Sequence, residues 1–235
     1  MNKKVFGLFV GCMLVSQLSL AVPIVTQTPL LNIAWLSDSD STQIVADDFG
    51  LAAGDFVRNV GWRGFYLYGT TIPAADAFTL RFYAADSLGA VGSLLRSLSV
   101  ANSVNRAGTG LLSSFGTVRH ELFDYTADLG ENLALGVGKF WLSVANDTAA
   151  DSDVNWWWAG NSPFLGPSTY DAAFSRNNGQ TFHGANLTTY LTLDGGNAGH
   201  VPEPATLALL AVGIAAGRFV RRRTGREPLV EKKRL

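Results

Sequence analysis

From Gln43 to Leu193 short apolar and aromatic runs alternate with breaks rich in Gly, Asn, Asp and Pro. Phe78-Thr79-Leu80-Arg81-Phe82-Tyr83 sets apolar and polar side chains at alternate positions until its last step, the period of a half-buried strand. Lys139-Phe140-Trp141-Leu142-Ser143-Val144 is denser, as in a strand covered on both faces. The pattern predicts strands at Gln43–Phe49, Val57–Tyr68, Phe78–Ala84, Leu94–Val100, His120–Thr126, Lys139–Ala145, Val154–Trp158, Tyr170–Phe174 and Leu187–Leu193. Gly69-Thr70-Thr71-Ile72-Pro73, Asp86-Ser87-Leu88-Gly89, Gly108-Thr109-Gly110 and Asn177-Asn178-Gly179 carry turn chemistry. No sustained 3.6-residue apolar stripe occurs outside the two ends of the chain. The expected fold is all-β, an antiparallel β-sandwich of jelly-roll-like form.

The two ends follow a different pattern. Residues 1–21 carry Lys3 and Lys4, an apolar run from Val5 to Leu20, and small residues at Ser19 and Ala21. That layout predicts a signal peptide cut between Ala21 and Val22. Val10-Gly11-Cys12 faintly resembles a lipoprotein-processing site, but Phe9 stands where Leu is preferred and Met13-Leu14-Val15 would leave an apolar terminus. At the other end Pro202-Glu203-Pro204 precede an apolar run from Ala205 to Val220. The prolines fix φ and lack donors, so a helix can begin only after Pro204. Sixteen residues rise about 24 Å as a helix, somewhat short of a bilayer core, but Arg218 can snorkel and the flanks can thin the bilayer. Arg218, Arg221, Arg222 and Arg223 then form a membrane stop on the cytoplasmic side. The predicted organisation is a signal peptide at 1–21, an extracytoplasmic domain at 22–200, a sorting and anchor segment with a single transmembrane helix at 201–223, and a basic cytoplasmic tail at 224–235.

Charge sharpens this division. The net charge of −1 conceals a middle domain with eight Lys/Arg against sixteen Asp/Glu, while the remaining basic residues flank the two apolar ends. An acidic domain repels phosphate backbones, which argues against nucleic-acid binding. Cys12 is the only cysteine and lies inside the signal segment. Once that segment is removed, disulfides, thiol catalysis and cysteine–zinc sites are excluded.

The C-terminal combination of Pro202-Glu203-Pro204, the apolar run and Arg221-Arg222-Arg223 resembles the PEP-CTERM sorting domain of Gram-negative bacteria that make exopolysaccharide. The resemblance implies a membrane-embedded cysteine protease, an exosortase, as partner. Pro202, Glu203 and Pro204 would be its recognition motif, and the arginines the stop. It also implies an inner-membrane-anchored form before processing, and then display at the cell surface or in the matrix. The chain departs from the family in running on from Thr224 to Leu235. Within the domain, Ile44-Val45-Ala46-Asp47-Asp48-Phe49, Gly61-Trp62-Arg63-Gly64-Phe65-Tyr66, Phe78–Tyr83 and Phe140–Val144 are similar to an ectodomain common among such proteins. That likeness carries no activity with it.

The search for chemistry yields little. His120, His183 and His200 stand at no metal-ligand spacing, and no nucleophile elbow, Walker loop or dinucleotide fingerprint occurs. Asp47 and Asp48 are adjacent on a strand and point to opposite faces, so they cannot flank one glycosidic bond. No catalytic residue and no cofactor is expected. Two oxygen-rich loops, Asp38-Ser39-Asp40-Ser41 and Asn146 to Asp153, offer candidate calcium ligands in Asp147, Asp151 and Asp153, against the plainer reading of solvated turns. Trp156-Trp157-Trp158 lie on a strand, with Trp156 and Trp158 on one face and Trp157 on the other. Core packing is the favoured reading, and a carbohydrate contact by an exposed ring the alternative. Three readings follow, in this order: a non-catalytic exported surface or matrix protein; a lectin-like module on the same anchor, with or without calcium; and a hydrolase whose site no motif marks.

Overall fold

The computed structural model describes residues 22–28, 33–67, 72–101, 103–113, 119–147, 155–161, 172–185 and 188–197, and among them there is no helix. The described strands are β1 (Val22–Gln27), β2 (Ile33–Leu36), β3 (Ile44–Leu51), β4 (Asp55–Leu67), β5 (Thr79–Ala85), β6 (Val91–Ser99), β7 (Val104–Leu112), β8 (Glu121–Leu133), β9 (Gly138–Ala145), β10 (Asn155–Asn161), β11 (Ala172–Ser175), β12 (His183–Ala185), β13 (Thr188–Thr189) and β14 (Leu191–Asn197). They form two antiparallel sheets. The larger runs β1-β14-β4-β10-β13, with β2 beside β10 and β8 and β7 beyond β4; the smaller runs β12-β11-β3-β9-β5-β6.

Alternation builds the core between the sheets. Val57, Val60, Trp62 and Tyr66 of β4, Phe123 and Tyr125 of β8, and Trp156 and Trp158 of β10 meet Val45 and Phe49 of β3, Leu80 and Phe82 of β5, and Phe140, Leu142 and Val144 of β9 in one buried cluster. Its centre is aromatic. Phe78 lies edge-on to Trp62 at 5.0 Å, Tyr125 at 4.9 Å and Trp156 at 5.0 Å, geometries the ring quadrupole favours. Gly64 of β4 makes room for this: a Cβ there would sit 2.4 Å from a carbon of the Trp156 ring. Val25 of β1 and Leu191 and Leu193 of β14 complete the cluster.

Each of the nine expected strands overlaps an observed one, but the pattern missed β1, β2, β7 and β12. Gly108-Thr109-Gly110, expected as a turn, lies within β7. This strand pairs only with β8, its register slips between Gly108 and Leu112, and Gly110 has φ of 70°. An edge strand with a bulge tolerates the glycines that an interior strand would reject. Where one strand was expected at Leu187–Leu193, the structure has β13 and β14, separated at Tyr190, whose backbone N–H donates to the Ala159 carbonyl at 2.9 Å.

Register also fixes the two ends of the sandwich. β14 runs out beside the start of β4, Asn197 facing Asp55, and Val22 of β1 faces Gly195. The turns Ala52–Gly54, Asp86–Ala90 and Ala134–Val137 lie at that same end, because Leu51 pairs with Gly138 and Ala85 with Val91. The opposite end carries Ser39–Thr42, Asn146-Asp147 and Asn177–Gln180, where Asn178 N–H donates to the Thr42 carbonyl at 2.9 Å.

Candidate functional site

The far end brings the first oxygen-rich segment beside Asn146 and Asp147, the described part of the second. Asp38 bridges to both Gln43 and Asn146, Ser39 N–H donates to the Asn146 carbonyl at 2.7 Å, and Ser41 Oγ donates to Asn155 Oδ1 at 2.9 Å. Several of their polar atoms hold the turns together. Asp38 is buried and its Oδ2 accepts the Trp156 N–H at 2.9 Å, while Asn146 Oδ1 accepts from Ala77 N at 2.9 Å and Asp147 N at 3.0 Å. Of the candidate calcium ligands, Asp147 is exposed at this end; Asp151 and Asp153 lie outside the described residues. Among the described residues, no group of three or more His, Cys, Asp or Glu is placed to hold a metal ion.

A network that the sequence did not announce runs inward from Asn146. Its Nδ2 donates to Tyr66 Oη at 2.8 Å, the Tyr66 hydroxyl donates to Asp76, and Arg106 pairs with Asp76 Oδ2 at 3.2 Å and donates to the Pro73 carbonyl at 2.9 Å. Burial raises the Tyr66 hydroxyl well above the ordinary tyrosine range, so it stays protonated as a donor. These residues come from β4, β7 and two loops, and no local spacing marks them as partners.

Asp47 and Asp48 diverge as their strand requires. Asp48 turns outward to Lys139, 3.1 Å away. Asp47 points between the sheets, where Oδ2 accepts from Thr189 N at 2.5 Å and from Thr189 Oγ1 at 2.7 Å, tying β3 to β13. Burial pushes its carboxyl up to about 8. A folded-state value above the unfolded 3.8 means that the contribution to stability is fully present below about pH 4 and is lost as pH rises toward 8. We expect the urea midpoint of the detergent-solubilised chain to fall between pH 5 and pH 8, with a slope of at most about 1.4 kcal/mol per pH unit. Asp47→Asn should flatten that slope. The same slope in parent and variant would contradict the assignment.

The tryptophan strand resolves as alternation demands. Trp156 and Trp158 are fully buried in the intersheet core, with no face left for a ligand, which corrects the carbohydrate alternative for both rings. Trp157 is half-buried on the outer face of the large sheet, packed against a small cluster of Ala34, Phe65, Leu67, Leu122 and Ala159. On this face Arg63 donates to Asp124 from Nε at 2.6 Å and from Nη2 at 3.0 Å, with its guanidinium 4.3 Å over the Tyr190 ring. The bidentate bond to Asp124 raises the Arg63 pKa further. His120 stacks on Phe65 at 5.6 Å, and the exposed His183 tilts against Phe174 at 5.7 Å.

The remaining expectations fall outside the described residues: the signal segment with Cys12 and Ala21, His200, Pro202, Glu203, Pro204, the apolar run, Arg218, Arg221, Arg222, Arg223 and the tail to Leu235. Among the described residues no helix is long and apolar enough to cross a membrane. β1 begins at Val22, on the far side of the expected cut, and β14 ends at Asn197. Residues 200–223, starting three residues beyond β14, match the family model of the PEP-CTERM protein-sorting motif. No curated protein and no solved structure matches the chain.

Proposed function

We propose that this chain, which carries a PEP-CTERM protein-sorting motif at residues 200–223, is a non-catalytic surface or extracellular-matrix protein of the cell that exports it. The motif implies export, membrane-associated sorting and processing by an exosortase. The observation that carries the reading is where the motif stands. The folded domain closes at β14 and the sorting segment follows at once, so processing there would release the sandwich without cutting a strand. The front end is consistent with this: loss of residues 1–21 would leave all of β1 in the sheet. Before processing, the run from Ala205 to Val220 would hold the chain in the inner membrane, with the arginines inside and the acidic domain outside. Exopolysaccharide is the matrix in which the released domain would reside.

Topology tests the anchor. A reporter fused after Leu235 should be cytoplasmic, and one inserted between Asn197 and Gly199 should be extracytoplasmic; reversed labelling would refute the arrangement.

A lectin-like role is the second reading. It is favoured by one observation, the row of Trp157, Arg63 paired with Asp124, and Tyr190 on an outward sheet face. Aromatic rings flanked by a charged fork suit the apolar face and hydroxyls of a sugar. If glycan-panel binding is found, Trp157→Ala should weaken it about tenfold, worth roughly 1.4 kcal/mol. Unchanged binding would sever the face from the activity.

A further inference from the structure

We propose that the end of the sandwich where β14 exits is a membrane-contact face, whose apolar turn tips Leu88 and Val137 rest in the interface of the bilayer that holds the chain's own C-terminal run. This rests on the anchor reading of residues 205–220.

Three observations carry it. First, Leu88 at 91% and Val137 at 70% are the most exposed large apolar side chains among the described residues. A lone exposed leucine is ordinary, but these two occupy the tips of separate turns, and register puts both turns at one end. Second, that end is where the chain leaves for the membrane. Asn197 closes β14 beside Asp55, and Ala205 follows eight residues on, a reach of at most about 28 Å in extended form. The face can therefore lie on the bilayer without strain in the connection. Third, the carboxylates in two of these turns keep their charge but are tied back to backbone donors of their own turn. Asp55 Oδ2 accepts the Ala52 N–H at 2.7 Å, and Asp86 Oδ1 accepts from Leu88 N at 2.8 Å and Ala90 N at 2.9 Å. The Ala134–Val137 turn carries no charge at all. By contrast, the turns of the opposite end read Ser39-Asp40-Ser41-Thr42 and Asn177-Asn178-Gly179-Gln180.

The Leu88 turn is also held firmly enough to act as a fixed foot. Trp141 Nε1 donates to the Gly89 carbonyl at 3.2 Å, and Gly89 takes φ of 82°, a conformation a side chain would strain. Contact of this kind would stand the domain upright and keep Pro202-Glu203-Pro204 at the depth of the interface, where a membrane-embedded protease can reach it. Interfacial binding of apolar side chains at the acyl boundary supplies the attraction.

The test uses the full chain with Cys12→Ser, so that an introduced cysteine is the only thiol. Leu88→Cys, Val137→Cys and, at the far end, Asp40→Cys each carry an environment-sensitive fluorophore in vesicles of phosphatidylethanolamine and phosphatidylglycerol. All three positions are exposed, so labelling leaves the core intact. Labels at 88 and 137 should shift to the blue, lose intensity to a quencher on the lipid acyl chain and resist iodide; the label at 40 should do the reverse. Labels at 88 and 137 that respond to iodide as the label at 40 does would overturn the proposal while leaving the anchor standing. Labels protected from both quenchers would also overturn it, by assigning the face to a second copy of the chain. A chain that does not float with the vesicles would overturn the anchor and the face together.

Discussion

Trp156→Ala should remove about 3–5 kcal/mol of folding stability, a large share of the roughly 5–15 kcal/mol of an ordinary domain. The ring is fully buried, edge-on to Phe78 at 5.0 Å and to Tyr125 at 6.0 Å, and it lies over Gly64, which has no side chain to follow it into a void. Strand pairing on both sides of β4 holds Gly64 and Tyr125 in place, which limits how far the cavity can close. Trp157→Ala, one residue along, should cost less than half as much, because its ring is half-buried on the outer face. Urea unfolding of the two variants, followed by near-ultraviolet dichroism, measures the difference. Equal losses would mean that the strand is not alternating as described.

That pair also shows what alternation can and cannot tell. Period-2 patterning placed Trp156 and Trp158 on one face and Trp157 on the other, and the faces are as expected. It could not say which face was core, since Phe65, Leu122 and Trp157 give the outer face an apolar cluster of its own. β1 and β7 escaped notice for a physical reason. Pro23 in one, and Gly108 and Gly110 in the other, are turn residues in an isolated sequence and are tolerated in strands at the edge of a sheet. The bond between Asp47 and Thr189, and the network of Asn146, Tyr66, Asp76 and Arg106, join residues far apart in the chain, and nothing in local spacing pairs them. The sorting segment was fully legible because its information is linear. Two prolines, one acid, an apolar run and a cluster of arginines are recognised by their order and spacing along the chain.

The sorting motif therefore gives the most direct test of what this protein is for. A sequence-selective protease takes an extended substrate, and prolines at 202 and 204 would leave Glu203 little conformational freedom to lose on taking that form. On the proposed reading, the apolar run beyond them would supply membrane affinity and no such recognition. Changing Pro202, Glu203 and Pro204 together to Ala should leave insertion intact and abolish tail removal. An immunoblot of cell fractions from a host with the matching exosortase, parent beside variant, reads the outcome. The predicted result is loss of the released domain and accumulation of the full-length, signal-cleaved form in the inner membrane; identical bands in identical fractions would contradict exosortase-dependent sorting.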